Sequence, residues 1–260
     1  MDLGLSGKVA LVSGASKGLG LGVARALAHD GAHISMCSRD SAAIEAAAQH
    51  LRDETGATVI TFAADVTKAD DVQAWIEGSV AQLGKIDALL VNAGGPPSGL
   101  FKDITDAQWQ GAFDLTVMSA VRMIRGALPH INTGGAILSI TSSSVQEPIE
   151  RLVLSTALRM AVVGIIKTLA DELASSGIRV NNLIPGRIDT ERVAQLDQLA
   201  ATRTGVSFEE ARTRSIAKIP MGRLGSTDEF GQAAAFLLSS ASSYITGASI
   251  RVDGGMMRSV

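Results

Sequence analysis

The stretch that decides the fold is VALVSGASKGLG, residues 9–20, in which a short valine-rich run leads into a glycine-rich turn. Glycines suit such a turn because the backbone must bend sharply there and pass close to a pyrophosphate. The helix that follows presents its N-terminus to the negative charge. A glycine pattern alone is weak evidence, but a place between a strand and a helix strengthens it. We therefore predict a dinucleotide site in the first βαβ unit.

Outward from this turn, short apolar runs alternate with longer segments of helical period, which is typical of βαβ units around a parallel sheet. With right-handed crossovers, this pattern predicts an α/β fold with a single Rossmann-type, doubly wound parallel sheet of about seven strands and helices on both faces. The predicted strands are residues 8–13, 32–38, 57–64, 86–92, 135–141, 179–184 and 248–252. Predicted helices include residues 18–30, ended by Gly31, residues 42–52, capped by Ser41, and residues 151–175.

Composition limits the class of protein. A chain of 260 residues with 46% hydrophobic content suits one domain, residues 1–260. The formal net charge of −3 provides no basic surface, so we expect no nucleic acid partner. The N-terminus resembles no signal peptide and no uninterrupted apolar run approaches spanning length, so we expect a soluble, cytoplasmic protein without membrane attachment. The single cysteine, Cys37, is predicted to be buried and inert, and no cysteine and histidine cluster suggests a metal site.

Residues 187–225 break the alternating pattern, because they are polar, rich in threonine and arginine, and inserted between the last two predicted strands. Insertions near the carboxyl ends of parallel strands usually select the substrate, so we interpret this segment as a polar lid. The alternative is a solvated helical excursion.

Four motifs in this order resemble the short-chain dehydrogenase/reductases over essentially the whole chain. They are residues 13–20, NAGG at 92–95, PGRIDT at 185–190, and YITG at 244–247 followed by DGG at 253–255. The resemblance implies that Asp65 and Val66 face the adenine. It implies that Asn92 and Gly94 line the ribose side, and that the nicotinamide end is held by Pro185, Gly186, Ile188 and Thr190. It also implies a homo-oligomer, dimer or tetramer, with residues 252–257 packed between subunits.

The predicted cofactor is NADP(H) rather than NAD(H). An acidic residue after the second strand suits a ribose diol, whereas a cation suits a 2′-phosphate. This chain has Ser38 and Arg39 there, and Lys17 in the glycine loop adds a second cation. The alternative is that both cations are ordinary surface charges, and the neighbouring Asp40 argues mildly for it. The remaining predicted cofactor contacts are the glycine-loop residues Gly14, Ser16, Gly18, Leu19 and Gly20.

The catalytic positions depart from the family pattern of a serine, a tyrosine, a lysine one helical turn later, and an asparagine. Counting from the flanking motifs places these four positions at Ser142, Ser155, Arg159 and Thr116. The only tyrosine of the chain belongs to the YITG motif, so the tyrosine and lysine of the family are both missing. Serine is far less acidic than a phenol, whose pKa is about 10, and arginine does not deprotonate.

The resemblance predicts an atypical NADPH-dependent oxidoreductase, similar to the 3-oxoacyl-acyl-carrier-protein reductases, that transfers hydride between nicotinamide and a carbonyl or alcohol. Ser155 and Arg159 are four residues apart on one helix face, which suggests a Ser–Arg–water relay. Arg159 could still orient the nicotinamide ribose. Glu147 and Glu150 are weaker candidates for the proton donor, since acids at a helix start are more often caps or solvated charges.

Arginine content suggests the substrate class. If the fold is right, Arg151, Arg159 and Arg187 converge on the active-site mouth, which favours an anionic carbonyl such as a 3-oxoacyl thioester. The alternative is that Arg151 merely caps a helix and Arg187 pairs with an acid. A different class of function also remains open: a catalytically silent NADP(H)-binding sensor or assembly protein.

Overall fold

The computed structural model describes residues 2–259, and within them seven strands form one parallel sheet. The strands are β1 Val9–Ser13, β2 His33–Ser38, β3 Val59–Ala63, β4 Ile86–Val91, β5 Ile131–Ile140, β6 Arg179–Pro185 and β7 Ser249–Val252. Their order is β3-β2-β1-β4-β5-β6-β7. Strands are added on one side of β1 up to β3 and on the other side from β4 onwards, so the topological switch point lies between β1 and β4. A crevice for ligands opens at the carboxyl ends of strands at such a switch point. The predicted fold class is confirmed.

Nine α-helices lie within residues 2–259, and several of them cover the two faces of the sheet. They are α1 Gly18–His29, α2 Ser41–Thr55, α3 Ala69–Leu83, α4 Asp106–Phe113, α5 Ser119–Ala127, α6 Val153–Leu173, α7 Glu191–Thr204, α8 Phe208–Ile216 and α9 Thr227–Leu238. Successive strand residues point to opposite faces, so Val12 belongs to one hydrophobic core and Leu11 to the other. The first core lies under α1, α2 and α9, and the second under α3, α5 and α6.

Most predicted boundaries agree with the structure within two residues, but β5 and α2 differ, and α2 ends at Thr55, three residues beyond the predicted end. Strand β5 begins at Ile131 rather than near residue 135, because the pair Gly134–Gly135 inside it reads as a turn in the sequence. The N-cap of α2 is Asp40, not Ser41: its carboxylate accepts a hydrogen bond from the Ala43 N–H at 3.0 Å. Serine and aspartate both cap helices well, so the sequence alone does not choose between them.

Helix α6 differs from the expectation that no stretch approaches membrane-spanning length. With the turn that follows it, it covers Val153–Ser176 and is long and apolar enough to cross a membrane by length and composition alone. The core helix of a folded domain passes the same test. Here Leu158, Val162 and Ile166 are buried in the second core, and α6 packs along β6.

Two glycines bring α9 against α1 at backbone distance. A Cβ atom at Gly231 would lie 2.3 Å from the carbonyl oxygen of Gly22, and one at Gly22 would lie 2.5 Å from that of Thr227. No side chain fits at such distances, so glycine is required at both positions. This contact fixes α1, and therefore the loop at its N-terminus, against the sheet.

The thiol of Cys37 lies on β2 inside the second core, fully buried as predicted. Burial disfavours the thiolate and raises the pKa of Cys37 to about 12, although a backbone hydrogen bond involving Gly14 opposes the shift. A thiol with this pKa is protonated, and therefore unreactive, at neutral pH.

Candidate active site

The carboxyl ends of the strands open onto one cleft of about 2260 Å³. Two of the predicted site residues, Gly20 and Thr116, do not border it. All the others do: Gly14, Ser16, Lys17, Gly18, Leu19, Ser38, Arg39, Asp65, Val66, Asn92, Gly94, Ser142, Ser155, Arg159, Pro185, Gly186, Ile188 and Thr190. Residues from six strand ends, from α1 and α6, and from the N-cap of α7 are thus brought to one surface.

The glycine loop has the backbone that the sequence predicts. Gly14 and Gly18 have φ angles of 61° and 59°, in the left-handed region where glycine is favoured. A Cβ atom at Gly20 would lie 2.2 Å from the Gly14 carbonyl oxygen, so the close packing of the loop against α1 requires glycine at position 20. The N-cap residue of α1, Lys17, makes no side-chain capping bond, which leaves the first N–H groups of α1 for a ligand. This arrangement fits the pyrophosphate of a dinucleotide.

Asn92 ties the glycine loop to the end of β4. Its side-chain amide donates to the Ser13 carbonyl oxygen at 3.2 Å, and its backbone N–H donates to the Ser13 hydroxyl at 2.8 Å. The neighbouring Gly94 has no other atom within 4 Å of where its Cβ would stand. Asn92 therefore has a structural role in this fold, while Gly94 leaves the wall of the cleft open.

The loop after β2 presents a cation to the cleft. Arg39 makes no side-chain hydrogen bond or ion pair with any residue of the described range 2–259. The neighbouring Asp40 caps α2, so its carboxylate is already in use. Partial burial disfavours the charge on Asp65, but two hydrogen bonds from Thr67 and the charge of Arg39 outweigh this and hold the pKa of Asp65 below its usual value.

The second predicted cation, Lys17, is not free. Its ammonium group forms an ion pair with Glu191 in the first turn of α7, on the opposite wall of the cleft. The next residue, Arg192, donates to the Pro96 carbonyl oxygen at 3.1 Å and so also reaches across. Burial lowers the pKa of Arg192. Sequence analysis missed Arg192, because no motif marks it within a polar segment.

Three serines connect the strand end of β5 to the start of α6. The Ser142 hydroxyl oxygen accepts from the Ser144 N–H at 3.2 Å, and the hydroxyls of Ser144 and Ser155 lie 3.3 Å apart. Ser155 is 7% exposed in the first turn of α6. Ser144 was not among the predicted residues, although it belongs to the run TSSS that supplied Ser142.

Arg159 follows Ser155 by one helical turn and points towards β5. Its Nη1 donates to the Ile140 carbonyl oxygen at 2.8 Å. Burial, helped by the charge of Arg192, lowers the pKa of Arg159 to about 10, so the guanidinium remains charged at neutral pH. A fixed positive charge thus lies beneath the cleft beside Ser155.

Thr116 lies behind the cleft, in a π-helical turn of residues Asp114–Met118 between α4 and α5. Its hydroxyl is buried and has no hydrogen-bond partner within residues 2–259. With Asn92, Ser139 and Arg159, it lines a cavity of about 10 Å³, which suits one water molecule. Single π-helical turns occur frequently at functional sites.

Comparison with known proteins decides the family. The family model described as "Enoyl-(Acyl carrier protein) reductase" matches residues 14–257. The 3-oxoacyl-[acyl-carrier-protein] reductase of Chlamydia muridarum is 33% identical over 254 residues, covering 97% of this chain and 98% of the relative. The chain is a short-chain dehydrogenase/reductase. Proteins of this family are oxidoreductases that bind NAD(P), and the predicted family resemblance is confirmed.

Solved structures of other short-chain dehydrogenase/reductases superimpose closely. L-sorbose reductase of Gluconobacter frateurii, in complex with NADPH and L-sorbose, gives a TM-score of 0.95 at 32% identity and covers 100% of both chains. The NADPH-bound short chain oxidoreductase of Pseudomonas aeruginosa PAO1, described as containing an atypical catalytic centre, gives 0.89 at 31% identity, covering 97% of this chain and 98% of that one.

In this short-chain dehydrogenase/reductase, residues 187–225 include α7 and α8, which border the cleft, and we call these residues the α7–α8 segment. Two backbone hydrogen bonds close its base: Asp189 N–H to the Gly225 oxygen at 2.8 Å, and Gly225 N–H to the Arg187 oxygen at 3.0 Å. Arg187 forms an ion pair with Asp197, which is 1% exposed. Arg187 therefore does not offer a free charge, and the hypothesis of three converging arginines loses one member.

The loop between Ser142 and α6 holds the other charged candidates. Glu147 accepts from the N–H groups of Arg258 and Ser259 at 2.8 and 3.0 Å, and Glu150 forms an ion pair with Arg203 at 3.0 Å. Both acids therefore act as acceptors here. Arg151 borders the cleft without a side-chain partner among residues 2–259, and its φ of 65° is the single positive value for a non-glycine residue in that range. Such backbone strain clusters at functional sites.

Proposed function

We propose that the chain is an NADPH-dependent carbonyl reductase with an atypical proton-donating centre, acting in the cytoplasm as a homo-oligomer. One observation carries the proposal: a single cleft joins the uncapped N-terminus of α1 to the hydroxyls of Ser142 and Ser155. When bound, NADPH supplies the hydride that adds to a carbonyl carbon, and the carbonyl oxygen takes up a proton. The residues of the chain then have to orient the carbonyl and deliver that proton.

The preference for NADPH rests on Arg39, the cation after β2 that has no acidic partner within residues 2–259. A guanidinium matches the geometry and charge of a 2′-phosphate. Two of the superimposed relatives, the L-sorbose reductase and the Pseudomonas oxidoreductase, hold NADPH.

The proton path runs through hydroxyl groups. Ser155 and Arg159 stand at the positions of the family tyrosine and lysine, and Ser142 at that of the family serine. Ser142 orients the carbonyl, and the linked hydroxyls of Ser144 and Ser155 pass a proton from water. The Arg159 cation stabilises the negative charge that develops on the carbonyl oxygen. A positioned general acid is worth about 10²- to 10⁴-fold in rate, so we expect slow turnover.

Substrate selection belongs to the α7–α8 segment, which acts as the lid over the cleft. Support comes from the contacts of its first turn, where Glu191 and Arg192 reach the two loops on the opposite wall. Support for an anionic substrate comes from cations at the rim: Arg151, Lys218 and Arg258 border the cleft without side-chain partners within residues 2–259. The relatives named above suggest two carbonyl classes to test, 3-oxoacyl thioesters and ketoses.

A second candidate is a catalytically silent NADP(H)-binding sensor or assembly protein. The observation in its favour is that the hydroxyl of Ser155 already pairs with Ser144 and the guanidinium of Arg159 with the Ile140 carbonyl. These hydrogen bonds form without a substrate, so both groups are compatible with a purely structural role.

The deciding experiment follows NADPH oxidation by the purified protein against ketones, aldehydes, ketoses and 3-oxoacyl thioesters. A Ser155→Tyr, Arg159→Lys double variant is assayed beside it, with Ser155→Ala as the control for the hydroxyl path. Turnover by the natural sequence that falls in Ser155→Ala supports the reductase and its proton path. Unchanged turnover in Ser155→Ala contradicts the path. Tight NADPH binding with turnover only in the double variant supports the silent protein.

A further inference from the structure

After β7 the chain turns back and passes beside the cleft. Gly254 and Gly255 have φ angles of 62° and 81°, in the left-handed region that favours glycine, and they make the turn. The Asp253 carboxylate closes it by accepting from the N–H groups of Gly255 at 2.9 Å and Met257 at 2.8 Å. We call residues 253–259 the C-terminal strap. Its course is fixed by its own hydrogen bonds.

One carboxylate joins the strap to residues 141–152, which we call the catalytic loop. Glu147 Oε1 accepts from the N–H groups of Arg258 at 2.8 Å and Ser259 at 3.0 Å. Beside it, Gln146 Oε1 accepts from the Ser259 hydroxyl at 3.1 Å. Hydrogen bonds to an ionised carboxylate are roughly twice as strong as those between neutral groups. Glu147 therefore makes the stronger link between the strap and the loop.

The same residue continues into the serine network. The Glu147 N–H donates to the Ser143 carbonyl oxygen at 3.1 Å, next to the short helical turn Ser143–Val145. Ser144 belongs to that turn, and its hydroxyl lies 3.3 Å from the hydroxyl of Ser155. A continuous path thus runs from the strap through Glu147 to the pair of hydroxyls in the proposed proton path.

The other contacts of the catalytic loop hold its far end, near the start of α6. The Gly99 N–H donates to the Arg151 carbonyl oxygen at 2.8 Å, and Glu150 forms an ion pair with Arg203 at 3.0 Å. The side chains of that ion pair are 68% and 46% exposed, and exposed pairs contribute little to stability. The strap therefore holds the part of the loop that is nearest to the serines.

We propose that Glu147 is a positioning residue, whose carboxylate ties the C-terminal strap to the catalytic loop and so keeps the Ser144 hydroxyl within reach of Ser155. The kinetic part of this inference rests on the proposed carbonyl reductase function, whereas the tie itself can be measured without a substrate. The alternative, in which Glu147 donates the proton, makes the opposite prediction when the carboxylate is replaced by an amide.

The kinetic test compares Glu147→Ala with Glu147→Gln, using NADPH and the fastest compound of the carbonyl panel. Glutamine keeps a side-chain oxygen that accepts from N–H groups but has no acidic proton. We expect Glu147→Ala to lower kcat about 10-fold or more, part of the 10²- to 10⁴-fold that a positioned general acid is worth. Glu147→Gln should retain most of the wild-type kcat.

Two controls separate this effect from general damage to the fold. The KM for NADPH should stay at the wild-type value in both variants, because the strap contacts given above involve neither the glycine loop nor Arg39. Glu77→Ala removes an exposed acid of α3, away from the cleft, that accepts a single side-chain hydrogen bond from Gln73 at 2.8 Å. It should keep the wild-type kcat.

Hydrogen–deuterium exchange measures the tie in the protein without substrate. Mass spectrometry follows one peptide from the strap and one from the catalytic loop. Glu147→Ala should speed exchange about 10-fold in both peptides, as expected for the loss of hydrogen bonds to a charged group. A chain that ends at Met257 lacks both N–H donors and should speed exchange in the loop in the same way. In that shortened chain, Glu147→Ala should change neither kcat nor the exchange of the loop any further.

Every outcome bears on the inference. Equal losses of kcat in Glu147→Gln and Glu147→Ala overturn it in favour of a proton-donating carboxylate. Wild-type exchange of the loop in Glu147→Ala or in the shortened chain also overturns it, and so does an equal effect of Glu147→Ala in the full and shortened chains. If no compound is reduced, the reductase proposal fails, and the exchange of the loop peptide still decides whether Glu147 and the strap hold the loop.

Discussion

At the scale of single residues, the position of a charge decides the choice of cofactor. Arg39 faces the cleft without an acidic partner within residues 2–259, whereas Lys17 is paired with Glu191. We expect Arg39→Asp to weaken NADPH binding about 10-fold or more, since a hydrogen bond to a charged group contributes roughly 1.5–3 kcal/mol. NADH binding should be maintained or strengthened. Fluorescence titration with each cofactor measures both, and Lys17→Ala should have the smaller effect. An equal loss for the two cofactors would contradict the assignment.

Burial of a thiol gives a second prediction at this scale, on stability against pH. The unfolded thiol loses its proton above its usual pKa of 9.0, whereas Cys37 in the fold holds its proton to about pH 12. Between these values the unfolded chain is increasingly favoured, so stability falls as pH rises. From pH 8 to pH 10, wild type should lose about 1.4 kcal/mol more than Cys37→Ala. Urea unfolding at both pH values measures the difference, and parallel losses would disprove it.

Single residues also show which parts of the site the sequence could predict and which it could not. Ser142 and Ser155 were found from neighbouring motifs that are close in the chain. Arg192, Ser144 and Asp197 were missed, because their roles depend on partners that only folding brings near: Arg192 reaches Pro96, 96 residues away in the sequence. For Arg187 the sequence left two readings open, a free cation or a pair with an acid, and the structure shows the pair, with Asp197 ten residues on.

At the scale of elements, the close contact between α1 and α9 gives a prediction on stability. We expect Gly231→Ala to destabilise the protein by roughly 1–3 kcal/mol, the usual cost of overpacking, because the new methyl would meet the Gly22 carbonyl at 2.3 Å. Gly111→Ala is the matched control. Gly111 lies on the exposed side of α4 with nothing within 4 Å, so alanine there should stabilise by about 0.5–1 kcal/mol. Opposite signs in denaturant unfolding confirm the contact, whereas a neutral Gly231→Ala would refute it.

Elements were also the level at which sequence patterns worked best. Valine-rich runs and helical periods identify strands and helices because burial follows those periods. The patterns failed in two places. Asp40 and Ser41 are both suitable N-cap residues for α2, and Gly134 and Gly135 lie inside β5 although a glycine pair is typical of a turn. Both errors are local choices that hydrogen-bond partners, not composition, decide.

At the scale of the whole molecule, an exposed face of α6 supports the proposed homo-oligomer. Ala157, Met160, Ala161 and Gly164 are exposed along this face, with Met160 48% exposed. Small and apolar residues allow a second copy of the helix to approach closely, and a two-fold contact buries the patch twice. We expect Met160→Glu to reduce the molar mass by light scattering to that of a smaller assembly. Gln49→Glu, which adds the same charge on the exposed side of α2, should leave the mass unchanged.

A natural protein that is monomeric by the same measurement would exclude this contact. The sequence predicted an oligomer from family resemblance alone, since no pattern within one chain records how copies meet. The fold class, in contrast, followed from hydrophobic patterns that each segment carries locally.

The buried state of Cys37 has a practical consequence for studying motion. Because it is the only cysteine and lies out of reach of reagents, a cysteine introduced by Leu199→Cys on the exposed side of α7 would be the one thiol that a dye can label. Reduced nicotinamide is itself fluorescent, so energy transfer between it and such a dye would measure the distance from the α7–α8 segment to a bound cofactor. The natural sequence therefore needs no cysteine removed before such distance measurements.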